Sequence, residues 1–197
     1  VIIWGLGAMG GGMADMLLKK KGVEIVGAVG RGAKIGKSMY DYIKTERGSN
    51  KDVIIGSYED VIKENAADVV LICTDSFTKG VFDKIKYCLE KKINVISSAE
   101  QMAYPKAAEP ELTKQLDEIA KANGVTVLGT GINPGLIMDL LVVAFTGACE
   151  EVEHIVARRV NSLSPFGPAV MEEQGIGITV DEIKEGVRTG KLAGHVG

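Results

Sequence analysis

The sequence predicts an α/β fold, a doubly wound parallel sheet followed by the start of an α+β domain, and three observations carry that expectation. Short, buried-type strand patterns alternate with helix patterns through the first two thirds of the chain. The first strand runs directly into a G-x-G-x-x-G turn, Gly5-Leu6-Gly7-Ala8-Met9-Gly10. After Leu128 the alternation gives way to a glycine-rich loop, Gly129-Thr130-Gly131-Ile132-Asn133-Pro134-Gly135, and an apolar run.

Taken in order, strands are expected at 1–4, 23–29, 53–55, 69–73, 93–97 and 125–128, because each is a short apolar run bounded by turn residues. Helices are expected at 11–21, 33–45, 58–64, 78–92 and 107–123, where apolar residues recur three and four apart behind charged outer faces. Gly22 and the run Ala122-Asn123-Gly124 read as helix ends, since both tolerate the left-handed conformation. Beyond the loop, 136–146 reads as an apolar helix, 152–160 as a strand, and 180–189 as a short helix capped by Asp181 or Thr179. The expected division is residues 1–130 and residues 131–197. The chain opens inside a strand without a methionine and stops without a closing element, so it is expected to be a truncated part of a longer protein.

Composition narrows the function classes. At 197 residues, 46% hydrophobic and 25% charged, the chain can bury a sizeable core. The net charge of −3 and scattered lysines lack the basic footprint of a nucleic-acid binder. The apolar run 135–149 falls short of the roughly 18 residues of a membrane span and contains Asp139. Cys73, Cys88 and Cys149, odd in number and without C-x-x-C spacing, are expected to be buried, reduced thiols in a cytoplasmic protein. His154 and His195 are too few and too far apart to mark a metal site. A homo-oligomer is expected.

The glycine turn reads as a dinucleotide site because of its context, a strand before it, a helix after it and a second strand within about 30 residues. Gly5 permits the tight turn, Gly7 lets backbone approach a pyrophosphate, and Gly10 lets the helix pack close to the strand. Gly5 to Gly10 are therefore candidate cofactor residues. NAD-specific folds usually place an acid about 20 residues past the turn. Here Gly30 stands there, followed by Arg31, with Lys34 and Lys37 nearby, which suits a 2′-phosphate and favours NADP over NAD. In such sheets the ligand lies beyond the carboxyl ends of the strands. The fourth strand ends in Thr74-Asp75-Ser76, where Thr74 can approach the nicotinamide ribose or the group can simply cap the next helix. The fifth ends in Ser97-Ser98-Ala99-Glu100, and Glu100 is either a solvated acid or a carboxylate for a substrate ammonium.

Four segments together resemble a known family. They are the glycine turn, Ser98-Ala99-Glu100-Gln101-Met102-Ala103-Tyr104-Pro105, Asn133-Pro134-Gly135 with Asp139, and Leu163-Ser164-Pro165-Phe166-Gly167-Pro168 leading to Met171-Glu172-Glu173-Gln174-Gly175. The resemblance is to the 2,4-diaminopentanoate dehydrogenases of ornithine degradation, relatives of dihydrodipicolinate reductase, and it covers essentially the whole chain. It implies oxidative deamination at carbon 4, giving 2-amino-4-oxopentanoate, ammonia and reduced NAD or NADP, with a Rossmann sheet followed by the start of a substrate domain. Relatives often carry an acid where Gly30 stands, so cofactor preference does not carry over. The His-His-x-x-Lys type segment of dihydrodipicolinate reductase is absent from this sequence.

Amine oxidation needs a neutral amine and a hydride acceptor close to its carbon, then water to attack the iminium, so a general base serves two steps. Glu100 and the glycine-flanked His195 are the candidates. A guanidinium fork suits the substrate carboxylate, and Arg158 and Arg159 would point to opposite faces of the 152–160 strand, with Arg159 the chosen candidate. Asn133 and Gln174 complete the substrate candidates, beside Glu172 and Glu173. A dihydrodipicolinate reductase-like or homoserine dehydrogenase-like oxidoreductase and a non-catalytic NAD(P)-binding sensor are the alternatives.

Overall fold

The computed structural model describes residues 1–160, 162, 171 and 175–192, in two compact units, Val1–Gly131 and Ile132–Gly197. In the first unit six parallel strands form one sheet: β1 (Ile2–Trp4), β2 (Gly27–Val29), β3 (Ile55–Gly56), β4 (Val69–Ile72), β5 (Asn94–Ser97) and β6 (Val127–Gly129). Their order, β3-β2-β1-β4-β5-β6, is that of a doubly wound Rossmann sheet, with the switch in direction between β1 and β4. Register is tight across that switch, Ile3 lying between Ala28 and Leu71.

Period-two alternation divides the strand residues between two cores. Ile2, Trp4, Val29, Val70, Ile72 and Val95 face one side, where α3 (Thr78–Glu90) buries Val81, Ile85, Cys88 and Leu89. That spacing of four, three and one places the four on a single helix face. α5 (Pro110–Asn123) adds Leu116 and Ala120. Ile3, Ala28 and Ile55 face the other side, where α1 (Ala8–Leu17) contributes Ala14. Complete burial of each Ile or Leu contributes roughly 1.5–3 kcal/mol. Burial also pushes the Cys88 thiol up to about 12, whereas Cys149 is exposed, contrary to the expectation for all three cysteines.

Several of the expected helices differ in extent or kind. Residues 33–45 form two short 3-10 turns, Gly32–Lys34 and Met39–Tyr42, instead of one helix. Gly36 at φ +83° breaks the run, and residues 36 to 39 bond instead to Val53 and Ile55, Gly36 N–H donating to Ile55 O at 2.8 Å and Met39 N–H to Val53 O at 2.8 Å. Tertiary pairing thus overrides the local pattern. The first helix ends at Leu17, so Gly22, at φ +77°, lies beyond its end. The expected 107–123 helix is split into α4 (Pro105–Ala108) and α5, because Pro110 forces Glu109 out of the helical region. Gly124 closes α5 at φ +67°. α2 (Tyr58–Val61) is short; its Tyr58 ring stacks on Trp4 at 5.4 Å.

The second unit contains α6 (Leu141–Thr146), continuous with helical chain from Leu136, and α7 (Val180–Arg188). Thr179 closes a capping box on α7, its Oγ1 accepting from Glu182 N–H at 3.3 Å while Glu182 Oε2 accepts from Thr179 N–H at 2.7 Å. The strand expected at 152–160 is not formed: that stretch has no ladder partner among the described residues, so its β-favouring composition is not realised.

Candidate functional site

β1 delivers the chain at Trp4 into the glycine turn, where each glycine meets a different constraint. Gly5 adopts φ +100°, and a Cβ there would lie 2.7 Å from Thr74 Cγ2 and 2.9 Å from Cys73 O. A Cβ on Gly10 would lie 1.8 Å from Gly5 O, so only glycine lets α1 pack against the turn. Around Gly7 nothing lies within 4 Å of the Cβ position. Gly7 is the N-cap of α1 and supplies no side-chain cap, and Gly7, Ala8 and Met9 are exposed. The first turn of α1 therefore begins at exposed residues with no side-chain cap, an arrangement that attracts an anion. The Leu6 side chain, by contrast, is in the core, so this residue can meet a ligand only through its backbone.

The N-terminus of α3, following β4, is closed. Asp75 Oδ1 accepts from Phe77 N–H at 3.0 Å, Gln101 Oε1 accepts from Thr78 N–H at 3.0 Å, and the Asp75 carboxylate occupies the space a Gly80 Cβ would need. Asp75 is thus a cap, whereas exposed Thr74 packs its methyl at Gly5 beside the open turn. Cys73 sits there too, its Sγ 3.4 Å from Met13 Sδ, and burial pushes its thiol up despite a hydrogen bond with Ser98.

At the end of β2 there is no room for an acid in place of Gly30, since a Cβ would lie 2.5 Å from Ile55 Cγ2. Lys34 reaches back to the turn, its Nζ donating to Leu6 O at 2.6 Å and standing 4.6 Å from the centre of the Tyr42 ring. Arg31 is exposed, and its guanidinium makes no hydrogen bond or ion pair with another described residue.

The segment after β5 is fastened from several sides. Ser98 N–H donates to Ile72 O at 3.0 Å, Ala99 N–H to Ser97 Oγ at 3.2 Å and Gln101 N–H to Ser76 O at 3.1 Å. Thr130 N–H donates to Ser97 O at 3.0 Å, and Gly129 admits the Met102 carbonyl to within 1.8 Å of its Cβ position. On this fixed 3-10 turn, Glu100–Ala103, the half-buried Glu100 carboxylate has no hydrogen-bond or ion-pair partner among the described residues. The structure thus brings Gly5, Gly7, Thr74 and the closed α3 terminus to the carboxyl edge of β1 and β4, with Glu100 beyond the neighbouring β5. Gln101 emerges here as a buttress of the site, having stood in the sequence only within the strand-end run that carries the family resemblance, and Lys34, expected beside a 2′-phosphate, is tied to the turn through Leu6 O.

In the second unit Asn133 precedes a cis bond to Pro134, and Gly135 N–H donates to Asp139 Oδ2 at 2.7 Å. Arg158 lines a groove of about 790 Å³ with Ile137, Phe145, Glu153 and His154. Arg159 is engaged in an interaction of its own. Because 152–160 is not a strand, the expected opposition of the two arginines does not hold. His195, Glu172, Glu173, Gln174 and the 163–168 motif lie outside the described residues. Among the described residues no three His, Cys, Asp or Glu side chains cluster as a metal would need, and no helix is long and apolar enough to cross a membrane.

Comparison with known proteins gives consistent findings. Residues 136–197 match the 2,4-diaminopentanoate dehydrogenase C-terminal domain. The 2,4-diaminopentanoate dehydrogenase of Acetoanaerobium sticklandii is 75% identical over all 197 residues, which span 56% of that protein. An amine dehydrogenase structure from Mycobacterium smegmatis superposes with a TM-score of 0.77 at 29% identity, covering 95% of this chain and 55% of that one. The family resemblance carried by the sequence motifs is thereby borne out.

Proposed function

Starting from a chain that is similar along its whole length to a 2,4-diaminopentanoate dehydrogenase, we propose that it forms the dinucleotide-binding domain, residues 1–130, and the beginning of the substrate domain, residues 131–197, of an enzyme that oxidatively deaminates 2,4-diaminopentanoate. The whole-chain identity carries this reading. The glycine turn supports it independently, because its open α1 terminus and the empty space at Gly7 fit a pyrophosphate.

Gly7, Ala8, Met9 and Gly10 would hold the pyrophosphate through backbone amides, Gly5 would shape the turn while its own N–H donates to Val29 O at 3.0 Å, and Thr74 would line the nicotinamide ribose. When bound, the nicotinamide supplies the hydride acceptor. Glu100 takes a proton from the substrate ammonium, freeing the nitrogen lone pair that drives hydride departure from carbon 4. Glu100 passes that proton to solvent, then accepts one from the water that attacks the resulting substrate iminium; returned to the nitrogen, it lets the carbinolamine collapse to the ketone and ammonium. In balance, one ammonium substrate, one oxidised cofactor and one water give ketone, ammonium, reduced cofactor and one proton. Asn133, Arg159 and Gln174 are the substrate-binding candidates and His195 the alternative base. For the cofactor, the closed space at Gly30 and an Arg31 guanidinium without a partner among the described residues favour NADP.

The test is a substrate panel on the full-length protein, following reduced nicotinamide and ammonia together. The proposal expects equal formation of both from 2,4-diaminopentanoate and none of either from homoserine. Reduction without ammonia, or no reduction with any amine, would overturn it.

A further inference from the structure

One residue ties the turn after β5 to the segment that opens α3. Gln101 N–H donates to Ser76 O at 3.1 Å, while its own carboxamide Oε1 accepts from Thr78 N–H at 3.0 Å. A backbone amide can only donate, so the atom facing Thr78 is the oxygen, and the orientation of the carboxamide is fixed by chemistry. Thr78 is the first residue of the 13-residue α3 and is 0% exposed. Its amide belongs to the set of helix-end donors that have no partner inside the helix, and without Gln101 it would be buried with no acceptor. The two bonds hold the peptide immediately after Glu100 from the main chain and from the side chain at once.

We infer that Gln101 is a positioning residue for the deamination: by fastening the turn after β5 to the N-terminus of α3, it fixes where the Glu100 carboxylate stands. This rests on the reading of Glu100 as the base. The turn is a single 3-10 turn with weak internal bonding, so its geometry depends on such outside ties. Glu100 itself receives no side-chain support among the described residues, which leaves the backbone beneath it as the means of aiming it. A misplacement of about 1 Å costs on the order of 10²-fold in rate.

The experiment is a mutant cycle in the full-length protein, with kcat expressed per cofactor-binding site. Gln101→Met keeps length and removes the acceptor; it is expected to lower kcat for 2,4-diaminopentanoate by about ten- to a hundredfold while cofactor affinity stays within about threefold, a small change beside that range. Gln101→Glu keeps an acceptor oxygen for Thr78 and is expected to retain most activity. In a Glu100→Gln background, Gln101→Met should cost nothing further, because groups acting as a unit are not additive. Should Gln101→Met fail to bind cofactor, Thr78→Pro removes the donor instead at a first-turn position that accepts proline, and it should reproduce the loss. Wild-type kcat in the acceptor-less variant, or full additivity with Glu100→Gln, would overturn the inference. Absence of deamination in the wild-type protein would instead overturn the functional reading, so the two failures are distinguishable.

Discussion

Position 30 shows how one packing contact constrains what a nucleotide would meet. Ile55 Cγ2, from the neighbouring strand β3, stands 2.5 Å from where a Cβ would be, so an acid at this position would have to displace a buried isoleucine. In the proposed site the ribose edge would be left to cations, and they are not equivalent. Lys34 is already committed to Leu6 O and the Tyr42 ring, whereas the Arg31 guanidinium has no such partner among the described residues. Arg31→Ala is therefore expected to weaken NADP selectively, by about 1.5–3 kcal/mol or roughly ten- to a hundredfold, as for a charge-assisted bond. Calorimetric titration with both cofactors checks this, and an equal loss for NAD would contradict it. Gly30 and Arg31 were legible as a pair in the sequence. Ile55 was not, because a contact between residues 25 positions apart on two paired strands leaves no local trace.

At the scale of elements, the turn and α1 separate two uses of glycine that look alike in sequence. Gly10 serves the fold, since any Cβ meets Gly5 O at 1.8 Å, and Gly7 faces space where nothing lies within 4 Å. Gly7→Val should leave thermal unfolding nearly unchanged and abolish cofactor binding, because the side chain would fill the pyrophosphate space. Gly10→Ala should destabilise the fold itself, by about 1–3 kcal/mol or more, as overpacking does. Thermal unfolding and calorimetry on the two variants distinguish the roles; a destabilised Gly7→Val that still binds would reverse them. The six strands and the long helices α3 and α5 were legible because their apolar periodicity agrees with where they are buried. The 33–45 stretch misled because its periodicity is helical while Gly36 and the pairing with residues 53–55 impose turns. The 152–160 stretch misled in the other direction, since strand-forming composition does not supply the ladder partner a strand requires.

In the whole molecule, the strand order brings residues far apart in sequence to one edge of the sheet. The turn after β1, Thr74 after β4 and Glu100 after β5 share the carboxyl edge because these strands are parallel neighbours in the order β1-β4-β5. Polar effort at that edge is uneven: Asp75 and Gln101 close the α3 terminus, whereas the α1 terminus and the Glu100 carboxylate are left without partners among the described residues. The candidate base was legible only as a carboxylate at a strand end, since its isolation from partners depends on bonds made by its neighbours. The most direct test of the account is steady-state deamination of 2,4-diaminopentanoate across pH by the full-length protein and its Glu100→Gln variant, with cofactor affinity measured in parallel. The account predicts a turnover loss of about 10²–10⁴-fold, the range for a removed general base, at nearly unchanged cofactor affinity. A variant within about threefold of the wild type, small beside that range, would contradict it.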